Sequence, residues 1–298
     1  MKSILILLSF VCWTFLSNPV TNLSNEPDTA FELQASTPGD SLIKTMLNID
    51  QSFPVDFIRW HLLMQPESQT FDLSINYGIN QPNTLGFTAA GQKQSIQGSY
   101  QVRSGPHGEV YQLKSETAKV AFSFLQLNED LYHLLDADQQ LMLGNGGWSY
   151  SLNRKTPSHQ KSPLPALAAA TLSKSTPYVA VFDGRTPCSE LAAEYAIPVS
   201  TECIKLKWRL TLYRDSTSKQ PTTYTLTRIF RRAQAITGKW SINQKGEATI
   251  YQLHPDEKRD EALQFLVGDE NVLFFLDKKQ QLLVGDENFS FALNKKLK

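Results

Sequence analysis

Residues 121–155 read AFSFLQLNEDLYHLLDADQQLMLGNGGWSYSLNRK, and residues 262–296 read ALQFLVGDENVLFFLDKKQQLLVGDENFSFALNKK. The two stretches align without a gap. They share Leu135–Asp136 with Leu276–Asp277, Gln139–Gln140–Leu141 with Gln280–Gln281–Leu282, Gly144 with Gly285, and Leu152–Asn153 with Leu293–Asn294. A repeat this long is one fold used twice. Upstream, Tyr111–Gln112–Leu113 matches Tyr251–Gln252–Leu253, Gly98–Ser99–Tyr100 matches Gly238–Lys239–Trp240, and Arg59–Trp60–His61–Leu62 matches Lys207–Trp208–Arg209–Leu210. Thr37–Pro38–Gly39 matches Thr186–Pro187–Cys188 at the start. Two units of about 125 residues follow, each large enough for a core of its own.

The local pattern within a unit is β. Ile204 to Tyr213 alternates apolar and polar residues, as a strand with one buried face does. Thr223 to Phe230 reads the same way after a turn at Lys219–Gln220–Pro221. Gly238 to Ile242 and Thr249 to Leu253 flank a hairpin signal at Asn243–Gln244–Lys245–Gly246. Glu261 to Val267, Val272 to Leu276, Leu282 to Val284 and Phe289 to Leu293 complete the series, with turns at 277–280 and 285–288. Six to eight short strands at regular spacing predict a small antiparallel barrel. One short helix is expected after each Thr-Pro, over Asp40 to Leu47 and over Cys188 to Tyr195, the latter with Ser189 as N-cap.

The expected organisation is therefore all-β, two tandem barrels. Residues 1–17 read as a signal peptide: Lys2 precedes an apolar run from Ile4 to Leu16 that is short for a membrane span. Residues 18–30 form a polar, disordered lead-in, 31–155 the first barrel, 156–177 a Pro-rich linker and 178–298 the second barrel. Ala166 to Leu172 reads as a helical turn inside the linker. Cys12 invites lipidation and thus membrane attachment, but Ser9–Phe10–Val11 before it lacks the small residue that attachment needs, so removal with the signal is expected. The destination is the periplasm or surface of a Gram-negative-type cell.

Lys plus Arg and Asp plus Glu stand at 29 each, which gives no global field for nucleic acid or an acidic membrane. Lys295–Lys296–Leu297–Lys298 and Arg231–Arg232 read as solvated tail and exposed edge. After export, Cys188 and Cys203 remain. An even pair in an oxidising compartment is most simply a disulfide, closing a loop whose chain entropy corresponds to about 3 kcal/mol. Copper or zinc ligation by the same two sulfurs is the alternative, if the fold brings them together.

Phe182–Asp183–Gly184–Arg185–Thr186–Pro187–Cys188, then Cys203, the strand from Leu206 to Asp215, Gly238–Lys239–Trp240 and Leu276–Asp277 follow one another in an order that resembles the N-terminal domain of the NlpE family, the copper-resistance and envelope-stress lipoproteins. The resemblance covers about 120 residues of the second copy. It implies a lipocalin-like barrel, an envelope location and a non-enzymatic role in envelope stress or copper homeostasis with a protein partner or small ligand. That family carries Cys-x-x-Cys after the proline. Here Leu191 stands where the second cysteine would be, and Ser189 to Glu202 reads as an insertion that moves it to Cys203.

No nucleophile elbow, zinc-protease motif or phosphate loop is present in the sequence. The histidines His61, His107, His133, His159 and His254 have no ligand-pair spacing. His61 and His133 fall in strands, and His107 and His254 are expected in turns. Asp136 and Asp277, like Glu129 and Glu270, occupy equivalent positions, and each Asp reads as a turn-starter. The aromatic pairs Trp60/Trp208, Tyr100/Trp240 and Trp148/Phe289 predict a filled barrel core, with an apolar-ligand cavity as the alternative.

Overall fold

The computed structural model describes residues 29–158, 161–167, 176–195, 197, 199–228, 235–256 and 262–297. The expected signal peptide with Cys12, most of the lead-in, His159 and Arg231–Arg232 lie outside these residues, as does most of the expected helical turn; Ala166 and Leu167 belong to no helix.

The first unit comprises β1 (Phe31–Pro38), β2 (Phe57–Gln65), β3 (Thr70–Gly78), β4 (Gln92–Gly105), β5 (Gly108–Ser115), β6 (Val120–Gln126), β7 (Leu131–Leu135) and β8 (Ser151–Arg154), with helix α1 (Ser41–Met46) between β1 and β2. The second comprises β9 (Val179–Thr186), α2 (Ser189–Glu194), β10 (Leu206–Arg214), β11 (Pro221–Arg228), β12 (Ile236–Lys245), β13 (Ala248–Pro255), β14 (Leu263–Val267), β15 (Val272–Leu276) and β16 (Ala292–Lys295). Each set forms an up-and-down antiparallel barrel. β8 closes on β1 through Leu33↔Arg154, and β16 closes on β9 through Asn294↔Asp183.

Alternation sets which side chains point inward. In β10, Leu206, Trp208, Leu210 and Leu212 are buried, while Lys207, Arg209 and Tyr213 are more exposed. Trp60 and Trp208 sit at the centre of the two barrels. Their indole N–H groups donate to Thr37 Oγ1 and Thr186 Oγ1, each at 2.9 Å, so the repeated Thr-Pro and Trp elements are one buried hydrogen bond used twice. At Gly98 and Gly238 a Cβ would collide with the carbonyl oxygens of Lys114 and His254, so only glycine lets these strands come this close. The helices close one end. Asp40 caps α1 by accepting from Ile43 N at 3.1 Å, and Ile43, Leu47 and Leu191 are fully buried.

Several expectations are corrected. Leu282 to Val284 is not a strand. It makes one bridge, Leu276↔Leu282, and Leu283 N–H bonds the Phe275 carbonyl, before residues 285–290 turn to meet the other barrel. The last strand is correspondingly shifted from Phe289–Leu293 to Ala292–Lys295. The β12–β13 hairpin turns at Gly246, with φ of 61°, so Asn243, Gln244 and Lys245 continue β12. Pro221 begins β11 rather than ending a turn. The N-cap of α2 is Cys188, without a side-chain cap; the Ser189 hydroxyl bonds Glu190 instead. His254 lies in β13 on the exposed face, not in a turn.

Candidate functional site

The two cysteines of the second copy are joined. Cys188 and Cys203 form a disulfide with S–S of 2.01 Å and Cα atoms 6.0 Å apart. It ties the start of α2 to the segment entering β10. In the first copy Gly39 and Val55 hold the equivalent positions, and they also touch: a Cβ on Gly39 would collide with Cγ1 of Val55. The fold therefore brings these two positions together in both copies, with packing in one and a covalent bond in the other. Bonded to each other, the sulfurs present no thiolate to copper or zinc. Among the described residues, no three His, Cys, Asp or Glu side chains converge as a metal cluster.

The barrels pack against each other through equivalent surfaces. Val110, Leu125, Leu131 and Leu135 of the first barrel join Ile250, Leu266, Val272 and Leu276 of the second, their counterparts in the repeat, in one apolar cluster that also takes in Leu167. The polar contacts are reciprocal. Gly144 N–H donates to Asn294 Oδ1 at 2.8 Å, and Gly285 N–H donates to Asn153 Oδ1 at 2.7 Å. Ser149 and Ser290, equivalent residues, meet each other at 2.5 Å, and His133 packs edge-on against its counterpart Phe274 at 5.4 Å.

His133 is fully buried at this interface. Its Nε2–H donates to the Met142 carbonyl at 2.9 Å, which fixes the tautomer and leaves Nδ1 to accept from Ser151 Oγ at 3.0 Å. Burial pushes its pKa down to about 4, so it is neutral at physiological pH. His61 lies at the edge of the interface, 3.3 Å from Glu32 and 3.8 Å from Glu287 of the other barrel. His107 bonds the Ala166 carbonyl and His254 bonds Ser241. Asp136 and Asp277 are turn-starters: Asp136 Oδ1 accepts from Asp138 N and Gln140 N, and Asp277 Oδ1 accepts from Gln281 N.

The barrel cores are filled, but the ends away from the helices differ. In the first barrel a cavity of about 570 Å³ is lined by Phe31, Pro66, Tyr100, Glu109, Tyr111, Glu129, Tyr132 and Arg154 among others. The aromatic rings pack on one another: Tyr100 lies 5.8 Å and Tyr132 5.6 Å from Tyr111. Arg154 stacks on Phe31 at 4.9 Å. In the second barrel the equivalent ring pair is Trp240 and Tyr251, 4.9 Å apart. There the guanidinium of Arg214 sits 4.4 Å over Trp240 and 5.9 Å from Tyr251, donating to the Tyr251 hydroxyl at 3.1 Å and to the Lys219 carbonyl at 3.3 Å. Partial burial lowers the Arg214 pKa, but an arginine remains charged. The residue that aligns with Arg214 is Pro66, so β2 sends no cation into the first mouth. The sequence reading paired Tyr100 with Trp240 but missed this difference; Arg214 against Pro66, four residues beyond the matched Leu210 and Leu62, was its signal.

A family model, the NlpE N-terminal domain, matches residues 197–286. The match takes in Cys203, β10, the Gly238–Lys239–Trp240 element and Leu276–Asp277. No curated protein and no solved structure matches the chain. The second barrel is thus NlpE-like over residues 197–286, and the first barrel repeats its eight-stranded plan.

Proposed function

We propose that this chain is an exported, non-enzymatic protein of the cell envelope that serves in envelope stress or copper homeostasis by binding a partner. The observation that carries this reading is the NlpE N-terminal domain match, on a barrel whose two cysteines form a disulfide. A disulfide suits an oxidising compartment, and loops held on two rigid barrels suit partner recognition better than chemistry. Copper would be handled through the partner rather than through Cys188 and Cys203, whose sulfurs are committed to each other. The cavity of the first barrel favours a second reading, carriage of a small ligand in that mouth.

The test is cellular. The tagged chain is expected in the envelope fraction with Cys188 and Cys203 oxidised, and cells lacking it are expected to show altered copper tolerance or an altered envelope-stress reporter. Recovery from the cytosol with free thiols, and no change in either response, would remove the proposal.

A further inference from the structure

Equivalent residues of the two copies line one small cavity at the seam between the barrels: Ser36 with Arg185, Phe57 with Lys205, and Trp148 with Phe289. Its volume is about 10 Å³, room for a single water-sized sphere. Its charge is one-sided. Arg59 of β2, Arg185 of β9 and Lys205 just before β10 line it, and among the described residues no carboxylate does. None of the three makes an ion pair among the described residues. Arg59 Nη2 donates to two neutral acceptors, the Leu85 carbonyl and Asn288 Oδ1, each at 2.7 Å, and Arg59 Nε is buried without a hydrogen-bond partner. Arg185 stacks across the seam on Trp148 at 5.3 Å, and Lys205 lies 5.5 Å over Phe289. Asp183, two residues before Arg185 on β9, is taken by Arg209 at 2.7 and 2.8 Å. Burial holds the pKa of Arg185 and of Lys205 below the ordinary values, and the charges of Arg185 and Lys207 add to the effect on Lys205. Partly desolvated cations this close repel one another and are costly unless negative charge lies among them.

We propose that this cavity is a site for one small monatomic anion, chloride or bromide, held between the barrels by Arg59 from the first and by Arg185 and Lys205 from the second. Size sets the class. A space of about 10 Å³ takes one spherical ion, whereas phosphate, sulfate or a peptide carboxylate needs room for several heavy atoms. Geometry agrees with it, because a halide accepts N–H groups from any direction and the donors here arrive from both barrels. Charged N–H donors are the strong kind. The ion offsets the repulsion among the three cations and ties the two barrels to each other, so it acts as a clamp on their interface and not as cargo. The site does not depend on the envelope role.

The experiment is chlorine NMR of sodium chloride in the presence of the disulfide-bonded chain, at constant ionic strength. Wild type is expected to broaden the chloride line in a saturable way that fits one site, with sodium bromide displacing the effect and sodium gluconate, whose anion is too large, leaving it. A crystal grown in bromide is expected to show an anomalous peak among Arg59, Arg185 and Lys205. Lys205→Met and Arg185→Met keep an apolar stem and remove the charge, and each is expected to weaken chloride binding about tenfold or more. Asn288→Asp puts a fixed negative charge in the wall beside Arg59 with almost no change of shape. This variant is expected to lose the broadening and to melt higher than wild type in chloride-free buffer, and it keeps the test open should a methionine variant not fold. Absence of saturable broadening by wild type, displacement by gluconate as strong as by bromide, or broadening that survives unchanged in Lys205→Met or Asn288→Asp would overturn the proposal. Each of these failures leaves the cellular test of the envelope role standing.

Discussion

At the residue scale, the two copies solve the same contact with different chemistry. Gly39 and Val55 pack where Cys188 and Cys203 bond. A loop of 15 residues is closed in the second copy, so replacing both cysteines with serine is expected to cost about 3 kcal/mol in urea unfolding. Replacing them instead with the first copy's pair, Cys188→Gly with Cys203→Val, should give an intermediate stability, because packing returns without the crosslink. A serine pair as stable as the native disulfide would contradict the ring-closure account. His133 makes a second prediction. Its folded pKa, about 4, lies below the value near 6.5 it has when solvated, so between those values the unfolded chain binds the extra proton. Stability is therefore full above about pH 6.5 and is lost as pH falls towards 4, with a slope on the order of 1 kcal/mol per pH unit from this residue. Asp269 and Asp286, whose pKa values are raised by burial, act in the opposite direction. The His133→Gln variant isolates the histidine: its stability between pH 4 and 6.5, measured by denaturant unfolding, should fall less steeply than wild type on acidification.

At the scale of elements, β7 and β15 explain the interface. Their sequences, LYHLL and VLFFL, are buried at every position, because one face looks into the barrel and the other into the neighbouring barrel. An apolar run without alternation is the mark of a strand covered on both faces, so the interface had a signal in Val272 to Leu276 alone. Strands such as β10, with one wet face, were readable from alternation, and β15 was found with its observed bounds. Leu282 to Val284 misled because apolar packing there comes without a ladder: Leu282 is buried in the inter-barrel cluster and Leu283 packs on the second barrel's own core. The loops that follow β7 and β15 carry the reciprocal polar contacts. Asn153→Ala leaves the Gly285 N–H and the Asp286 carbonyl without their partner, and Asn294→Ala does the same to the Gly144 N–H. Each is expected to destabilise the chain by about 1–3 kcal/mol, by the cost of a buried polar group left unpaired. Thermal and urea unfolding of the two variants check this; losses at the level of an exposed asparagine would mean that water replaces the amide. The difference between the two mouths was harder to read, because Pro66 stands in the place of Arg214 at a hairpin where the loop lengths also differ.

At the scale of the molecule, the stretch that repeats without a gap is also the stretch that joins the two barrels. Residues 121–155 and 262–296 contain His133 and Phe274, Gly144 and Gly285, Ser149 and Ser290, and Asn153 and Asn294. A surface that meets its own counterpart must keep the same spacing on both sides, since any insertion would displace both halves of a reciprocal contact. Outside this stretch the loop lengths have drifted. The arrangement is that of a symmetric dimer carried on one chain, with residues 156–177 as the connection. It follows that the covalent link raises the local concentration of one barrel near the other, while the paired surfaces, with Leu167 of the connection among them, hold them together. A protease site placed between Leu167 and Thr176, cleaved after folding, should therefore leave the two halves eluting as one species in size-exclusion chromatography. Leu266→Lys, which buries a charge in the apolar cluster, should cause the cleaved halves to separate, while the uncleaved variant remains one chain with two folded barrels. Separation of the cleaved wild-type halves at micromolar concentration would show that the connection, and not the paired surfaces, keeps the barrels together.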